Sequence, residues 1–166
     1  MAIQQPVAGN PLNNPDHSLS HRVIANDNAA PVQSIVVSST GNVGIGTTSP
    51  TSKLHNAGNT AFTPIAKTVA SAGTALTILN TNVEVTTDGN SDEDNGTLAN
   101  GATVGQIINI YVVAVGNAAD SFKITPTTMV GGTKISFAAN PLGKGCSLVW
   151  TASGWVCFGN NGGVIS

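Results

Sequence analysis

The longest β-favouring run in the sequence is Ile107-Ile108-Asn109-Ile110-Tyr111-Val112-Val113-Ala114-Val115. β-Branched side chains and one tyrosine dominate this run, and such side chains suit a pleated sheet. Successive side chains of a strand point to opposite faces, and here both faces are apolar except at Asn109. A half-exposed strand would alternate apolar and polar residues instead. We therefore expect both faces of this strand to be covered, one by a second sheet of the same chain and the other by a neighbouring subunit.

The region from residue 61 to 166 contains seven more short runs of strand-forming residues. They span residues 65–70, 75–79, 83–87, 122–127, 134–137, 147–151 and 155–158. Turn-forming pairs such as Gly116-Asn117 and Gly131-Gly132 separate them, and no long segment has a 3.6-residue period. Many short strands between turns indicate an antiparallel β-sandwich or barrel over residues 61–166, in an all-β chain. The closing run of glycine and asparagine, 159–163, is predicted to be a flexible tail.

The chain carries few charges, and its six lysines and arginines are scattered along the sequence. Charged residues make up 8% of the sequence, against roughly 25% in typical globular proteins, and the net charge is -2. Because no basic patch exists, we do not expect nucleic-acid binding. No apolar run approaches the ~20 residues of a membrane span, and the N-terminus lacks the pattern of a signal peptide. We therefore expect no membrane contact and synthesis in the cytoplasm.

Residues 1–33 are predicted to be an extended arm. Four prolines interrupt this segment, and proline both removes a donor and holds the preceding residue in extended geometry. Asp16 offers a cap for a short helical turn over residues 16–25. Its only local apolar contacts are Leu19, Val23 and Ile24. Since the arm has no core of its own, we expect it to lie on a partner.

Residues 34–60 form a different segment, with a strand at 34–39, a turn at Gly41-Asn42 and a second extended piece at 53–55. This segment contains the run Gly41-Asn42-Val43-Gly44-Ile45-Gly46-Thr47-Thr48-Ser49-Pro50-Thr51-Ser52-Lys53-Leu54-His55. The run resembles a segment that recurs in tailed-bacteriophage fibres and related trimeric phage structural proteins. In that family an apolar residue usually follows the histidine, and Asn56 departs from this pattern.

The resemblance implies a homotrimer in which this segment joins intertwined β-structure. Its glycines would let three chains approach closely at an axis, and Pro50 would end the turn. We assign the following residues to the trimer interface: Val43, Gly44, Ile45, Gly46, Leu54, His55 and, from the long strand, Ile108, Ile110 and Val112.

The last strands of the sequence also resemble phage proteins. Residues 134–137, 147–150 and 154–157 are similar to the closing strands of small β domains in head-decoration and fibre proteins, some of which are trimeric, tripod-like folds that cement capsids. Trp150 and Trp155 are expected to anchor the core or the subunit contact, with one of them in the core. In a hairpin that turns near residues 152–154, Cys146 and Cys157 are not opposite each other, so we expect two free, buried thiols.

The acidic run 88–96 is a candidate metal site, as are the pair His17 and His21 and, on a three-fold axis, His55. For the histidines we expect simple exposure or a structural role instead. Asp88, Asn90 and Asp92 have the alternate spacing of oxygen ligands for Ca²⁺. The pattern of a calcium-binding EF-hand loop then fails, because Glu93 stands where glycine is needed. We therefore expect a solvated hairpin loop and no metal or other cofactor. No arrangement of nucleophile, base and orienting acid is recognisable, so we expect no enzymatic activity.

These observations together predict a virion structural protein. We expect a capsid cement or decoration protein that forms homotrimers on the head shell and binds the major capsid protein through its arm. The arm residues expected to make this contact are Leu19, Arg22, Val23 and Ile24. The alternative is a short tail-fibre or head-fibre component that takes part in receptor recognition, which the segment 41–55 favours.

Overall fold

The computed structural model describes residues 19–23 and 32–166, which form fourteen β-strands. The chain divides into two compact units, residues 1–61 and 62–166. The expectation of an all-β chain is therefore confirmed for the described residues. The boundary between the predicted arm and the fibre-like segment, at residue 33, falls inside a strand of the N-terminal unit.

The N-terminal unit is a single four-stranded sheet. Its strands are β1 (Leu19–Val23), β2 (Val32–Val37), β3 (Val43–Ile45) and β4 (Leu54–Asn56), and they lie side by side in this order. β1 pairs antiparallel with β2, and β2 antiparallel with β3. β3 and β4, the two ends of the fibre-like segment, pair in parallel.

The pairing of β1 with β2 corrects part of the predicted arm. A helical turn over residues 16–25 is wrong at Leu19–Val23, because these residues are a strand at the edge of the sheet. Leu19, Arg22 and Val23 therefore belong to the sheet. Ile24 and residues 1–18 lie outside the described residues.

The C-terminal unit contains two five-stranded sheets. Its strands are β5 (Ile65–Val69), β6 (Thr74–Leu76), β7 (Asn82–Thr87), β8 (Glu93–Leu98), β9 (Ile107–Ala114), β10 (Ser121–Pro126), β11 (Ile135–Phe137), β12 (Gly145–Thr151), β13 (Gly154–Asn161) and β14 (Gly163–Ile165). One sheet has the order β13-β12-β9-β7-β5, and the other has the order β14-β11-β10-β8-β6. Neither sheet closes into a barrel.

The first six strands of this unit wind back and forth between the two sheets. β5, β7 and β9 lie in one sheet and pair in parallel, and β6, β8 and β10 do the same in the other. The expectation of an antiparallel sandwich is therefore wrong for these strands. A chain that leaves one sheet, crosses to the opposite sheet and returns enters the first sheet again in its original direction. The two strands that it forms in the first sheet are therefore parallel. A turn-forming pair of residues serves such a crossing as well as it serves a hairpin.

The last four strands are antiparallel and complete both sheets. β11 pairs with β10, and β14 then pairs with β11. β12 pairs with β9, and β13 forms a hairpin with β12. The predicted flexible tail is wrong, because residues 159–161 extend β13 and residues 163–165 form β14.

The hydrophobic core lies between the two sheets. It is built from inward-facing side chains of both: Val69, Leu76, Val83, Val85, Leu98, Ile108, Ile110, Val112, Phe122, Ile124, Ile135, Phe137, Cys146, Leu148 and Trp155. Phe122 and Phe137 stack with their ring centroids 5.7 Å apart. Ile108, Ile110 and Val112 of β9 are enclosed by the chain's own side chains. They are therefore out of reach of a second subunit, and their assignment to the trimer interface is wrong.

Two predictions for the last hairpin are confirmed. Trp155 is fully buried, and its indole Nε1 donates to the carbonyl oxygen of Ala99 at 2.8 Å. Trp150 packs edge-on against it at 5.4 Å. Both cysteines are free, since Cys146 lies opposite Asn160 and Cys157 opposite Leu148. Cys146 is buried as expected, whereas Cys157 is only partly buried. Burial raises the pKa of both thiols, which keeps them in the unreactive protonated form.

We predict that Trp155→Ala lowers the free energy of unfolding by about 3–5 kcal/mol, because it leaves a cavity between the sheets. Phe158→Ala in the same strand is the matched control, since Phe158 is largely exposed, and it should change stability by about 0.5 kcal/mol or less. Denaturant unfolding at one protein concentration measures both variants. Equal losses in the two variants would contradict the position of the core.

Candidate functional site

One face of the N-terminal sheet is apolar across three strands. Residues that pair directly in a sheet point to the same face, and Ile35 pairs with Ile45 while Val37 pairs with Val43, which in turn pairs with Leu54. We call this set the N-terminal apolar face: Ile35, Val37, Val43, Ile45 and Leu54. It brings together residues that are up to 19 positions apart in the sequence, as the pairing of β2 with β3 and of β3 with β4 requires.

The N-terminal apolar face is open to solvent in the single chain. Ile35 is 46% exposed, Ile45 42% and Leu54 64%. Val36, on the opposite face, is the one buried hydrophobic residue among the described side chains of this unit. A contiguous exposed apolar patch of this kind marks an interaction surface in soluble proteins. The described residues of this unit therefore form no hydrophobic core on that face.

The glycines of the fibre-like segment serve the chain's own turns. Gly41 and Gly46 have positive φ angles of 74° and 70°, which residues with a Cβ rarely adopt. A Cβ on Gly44 would lie 2.6 Å from the carbonyl oxygen of Thr47. Gly44 is buried. Its position and that of its partner His55 belong to the sheet face opposite to the N-terminal apolar face. The predicted close approach of three chains is therefore not needed to explain these glycines.

The outer face of β9 is only partly covered. Its centre carries a row of hydrogen-bonded polar side chains, in which Asn109 Nδ2 donates to Asn82 Oδ1 at 2.9 Å and Ser147 Oγ donates to Asn109 Oδ1 at 2.8 Å. Ile107 and Val113, near the ends of the same face, are 46% and 44% exposed. The expected double burial of this strand is therefore absent in the single chain, and the face that a neighbour could cover is this outer one.

Acidic side chains gather where β7 ends and β8 and β10 begin. Asp88 and Asp92 lie in the connection after β7, and Asp94 is the second residue of β8. One carboxylate oxygen from each of the three lies within 4.8 Å of the others. Asn90, one of the three residues expected to bind calcium, donates hydrogen bonds to Asp88 from both its backbone nitrogen and its side-chain nitrogen.

Asp94 is a fully buried carboxylate, contrary to the expected solvated loop. It is buried because β8 alternates, with Asp94, Gly96 and Leu98 facing the interior. Its Oδ2 accepts the backbone N–H of Asp88 at 3.1 Å, and its Oδ1 has no hydrogen-bond partner among the described residues. Burial, helped by the neighbouring aspartates, raises the pKa of Asp94 to about 6.

Asp120 holds the acidic connection in place from the start of β10. Its Oδ2 accepts from Thr87 Oγ1 at 2.6 Å and from the backbone nitrogens of Gly89 and Asn117. Its Oδ1 accepts from the backbone nitrogen of Ser91 at 2.8 Å. These hydrogen bonds lower the pKa of Asp120 below its usual 3.8, and the one from Thr87 has the largest effect. Sequence reasoning missed this residue, because three of its four partners, Thr87, Gly89 and Ser91, lie 29 to 33 positions away in the chain.

We predict that Asp120→Asn lowers the melting temperature by several degrees and speeds hydrogen exchange at the Ser91 amide. All the groups that contact this carboxylate are donors, and the NH₂ of asparagine would face a donor in either orientation. Because the folded-state pKa is lowered, the stabilisation is present above about pH 4 and is lost as the pH falls through that pKa. Glu93→Gln removes one charge from an exposed side chain nearby and is the control. A melting temperature equal to that of the control would contradict the role of Asp120.

Comparison with known proteins does not assign the chain to a family. No protein-family model matches the chain. No curated protein matches it significantly. Among residues 19–23 and 32–166, no helix is long and apolar enough to cross a membrane.

Proposed function

We propose that this chain is a structural protein of a tailed-bacteriophage virion and that it acts as a homotrimer. Two independent features support the proposal. The segment 41–55 resembles a run found in trimeric phage proteins, and the strands built from this segment carry the N-terminal apolar face. The resemblance and the exposed surface thus point to the same residues.

The exposed N-terminal apolar face is the observation that carries the proposal. A sheet of four strands needs one face packed against other structure to be stable in water. The described residues of the same unit supply no such cover. Further copies of the chain would bury Ile35, Ile45 and Leu54 around a common axis, and burial of such side chains contributes about 1.5–3 kcal/mol each when complete. The folded N-terminal unit would then depend on the trimer.

Within this class we favour a capsid cement or decoration protein. Such a protein would act by burying surface area against the major capsid protein, without any chemical step. Since Leu19–Val23 forms an edge strand of the sheet, the part of the arm that would reach the shell comes before Leu19. As an edge strand of the described sheet, β1 is also a place where a strand of the shell could add.

A short fibre component is the second candidate. The fibre-like segment shares a sheet with β1 and β2, and this sheet belongs to a unit distinct from the C-terminal sandwich. That division matches a fibre in which a trimeric segment carries a separate receptor-facing domain. In this case the exposed connections of the C-terminal unit would be the functional surface.

Gold-labelled antibody on intact virions distinguishes the two candidates. Label spread over the whole head supports the cement protein. Label confined to the tail tip or to a single vertex supports the fibre component and overturns the cement role. Virions without any label would overturn both.

We predict that Leu54→Asp weakens trimer association by about 100-fold or more, because it places an unpaired carboxylate in the proposed interface. Thr48→Asp introduces the same charge at an exposed position of the same segment, and it should leave the trimer intact. Sedimentation velocity over a dilution series measures both variants. An equally stable trimer in Leu54→Asp would contradict the interface.

We further predict that deletion of residues 1–18 leaves a soluble trimer that no longer binds head shells. This deletion spares β1 and therefore the whole described sheet. Co-sedimentation with purified shells measures binding, with the full chain as the reference. Shell binding by the truncated protein would contradict the role of the arm, and loss of the trimer would show that the arm holds the subunits together instead.

A further inference from the structure

The three clustered aspartates have the spacing of ligands around one cation. Ca²⁺ binds oxygen at about 2.3–2.6 Å, so two oxygens on opposite sides of the ion are about 4.6–5.2 Å apart. The oxygens of Asp88, Asp92 and Asp94 all lie within 4.8 Å of one another. One ion can therefore contact all three without a change of fold.

Two of these carboxylates have oxygens that are enclosed and without a partner. Oδ1 of Asp94 and Oδ1 of Asp92 are both buried atoms, and neither accepts a hydrogen bond from any described residue. Asp94 is the stronger case, because its whole side chain is inaccessible to water. A buried charged oxygen without a partner costs several kcal/mol, so a bound cation or a proton is needed to satisfy it.

The described residues supply no positive charge to this cluster. The single ion pair among the described residues joins Lys123 to Glu93 at 2.6 Å. Glu93 is exposed and points away from the interior, as its alternation with Asp94 in β8 requires. The three carboxylates therefore face one another, and a fourth, Asp120, is already occupied by four donors.

We propose that Asp88, Asp92 and Asp94 bind a Ca²⁺ ion at the end of the C-terminal sandwich. Ca²⁺ fits better than Mg²⁺, because it accepts several carboxylates in an irregular arrangement, while Mg²⁺ demands near-octahedral geometry and keeps most of its waters. Water and the remaining oxygens of the three side chains complete the coordination. The ion links the connection between β7 and β8 to the beginning of strand β8, and so stiffens that end of the domain. This inference does not depend on the proposed virion role.

Calcium titration of the full chain tests the site. We expect one Ca²⁺ per chain by isothermal calorimetry, with a Kd on the order of 10⁻⁴–10⁻³ M, as in extracellular calcium modules. Ca²⁺ should also raise the melting temperature in proportion to site occupancy. Asp92→Asn should weaken binding at least about tenfold while the fold is kept, because Oδ1 of Asp92 accepts no hydrogen bond from the described residues.

Asp94→Asn separates a metal site from a merely buried acid. Without calcium this variant should be at least as stable as the parent chain, because it removes a buried charge and an amide oxygen can still accept the Asp88 N–H. With calcium it should lose the gain in melting temperature. Glu93→Gln, which removes a neighbouring charge outside the cluster, should keep the full gain.

Three results would overturn the site. The first is no heat of binding and no thermal shift up to about 10 mM CaCl₂, tenfold above the weakest modules of this kind. The second is an equal shift with NaCl at matched ionic strength, which would indicate general screening of the acidic cluster. The third is an equal response to Mg²⁺, which would contradict the assignment to calcium.

Discussion

The burial of two sheet faces against each other is the constraint on which the C-terminal unit depends. Each strand contributes every second side chain to the layer between the sheets, and β9 supplies three of them, Ile108, Ile110 and Val112. Because β5 to β10 cross between the sheets at each turn, both inner faces are built at the same time by neighbouring parts of the chain. The parallel pairing within each sheet follows from this winding. The antiparallel strands β11 to β14 then extend both sheets over the remaining core.

Among the described residues of the N-terminal unit, no second sheet packs on the first. Its central strands β2 and β3 are rich in β-branched residues and pair in a regular register, yet the face that carries Ile35, Ile45 and Leu54 meets solvent. The same physical rule that explains the C-terminal sandwich therefore leaves this unit incomplete as a single chain. A trimer that covers this face would complete it, and the fibre-like segment would then be an assembly element of the protein.

Sequence reasoning located most strands because their residue types and turns are local signals. β7, β9 and β10 lie within one or two residues of the predicted spans. The connections between strands could not be predicted, since a turn-forming pair leads equally well to a hairpin or to the opposite sheet. β8 was missed because Glu-Asp-Asn-Gly-Thr-Leu has few strand-forming residues, and its pairing with β6 and β10 overrides that preference. The calcium ligands expected from the sequence therefore include Asn90 and omit Asp94. Asp94 points inward only because alternate residues of β8 face the interior.

The mass of the intact protein in solution tests the account most directly. Sedimentation equilibrium or native mass spectrometry of the full chain at micromolar concentration should give a single species at three times the chain mass of 16.6 kDa. Its dissociation on dilution should coincide with loss of β-structure in the N-terminal unit. A folded monomer that keeps the N-terminal sheet, with protected amides in β2 and β3, would contradict the claim that other copies cover the N-terminal apolar face.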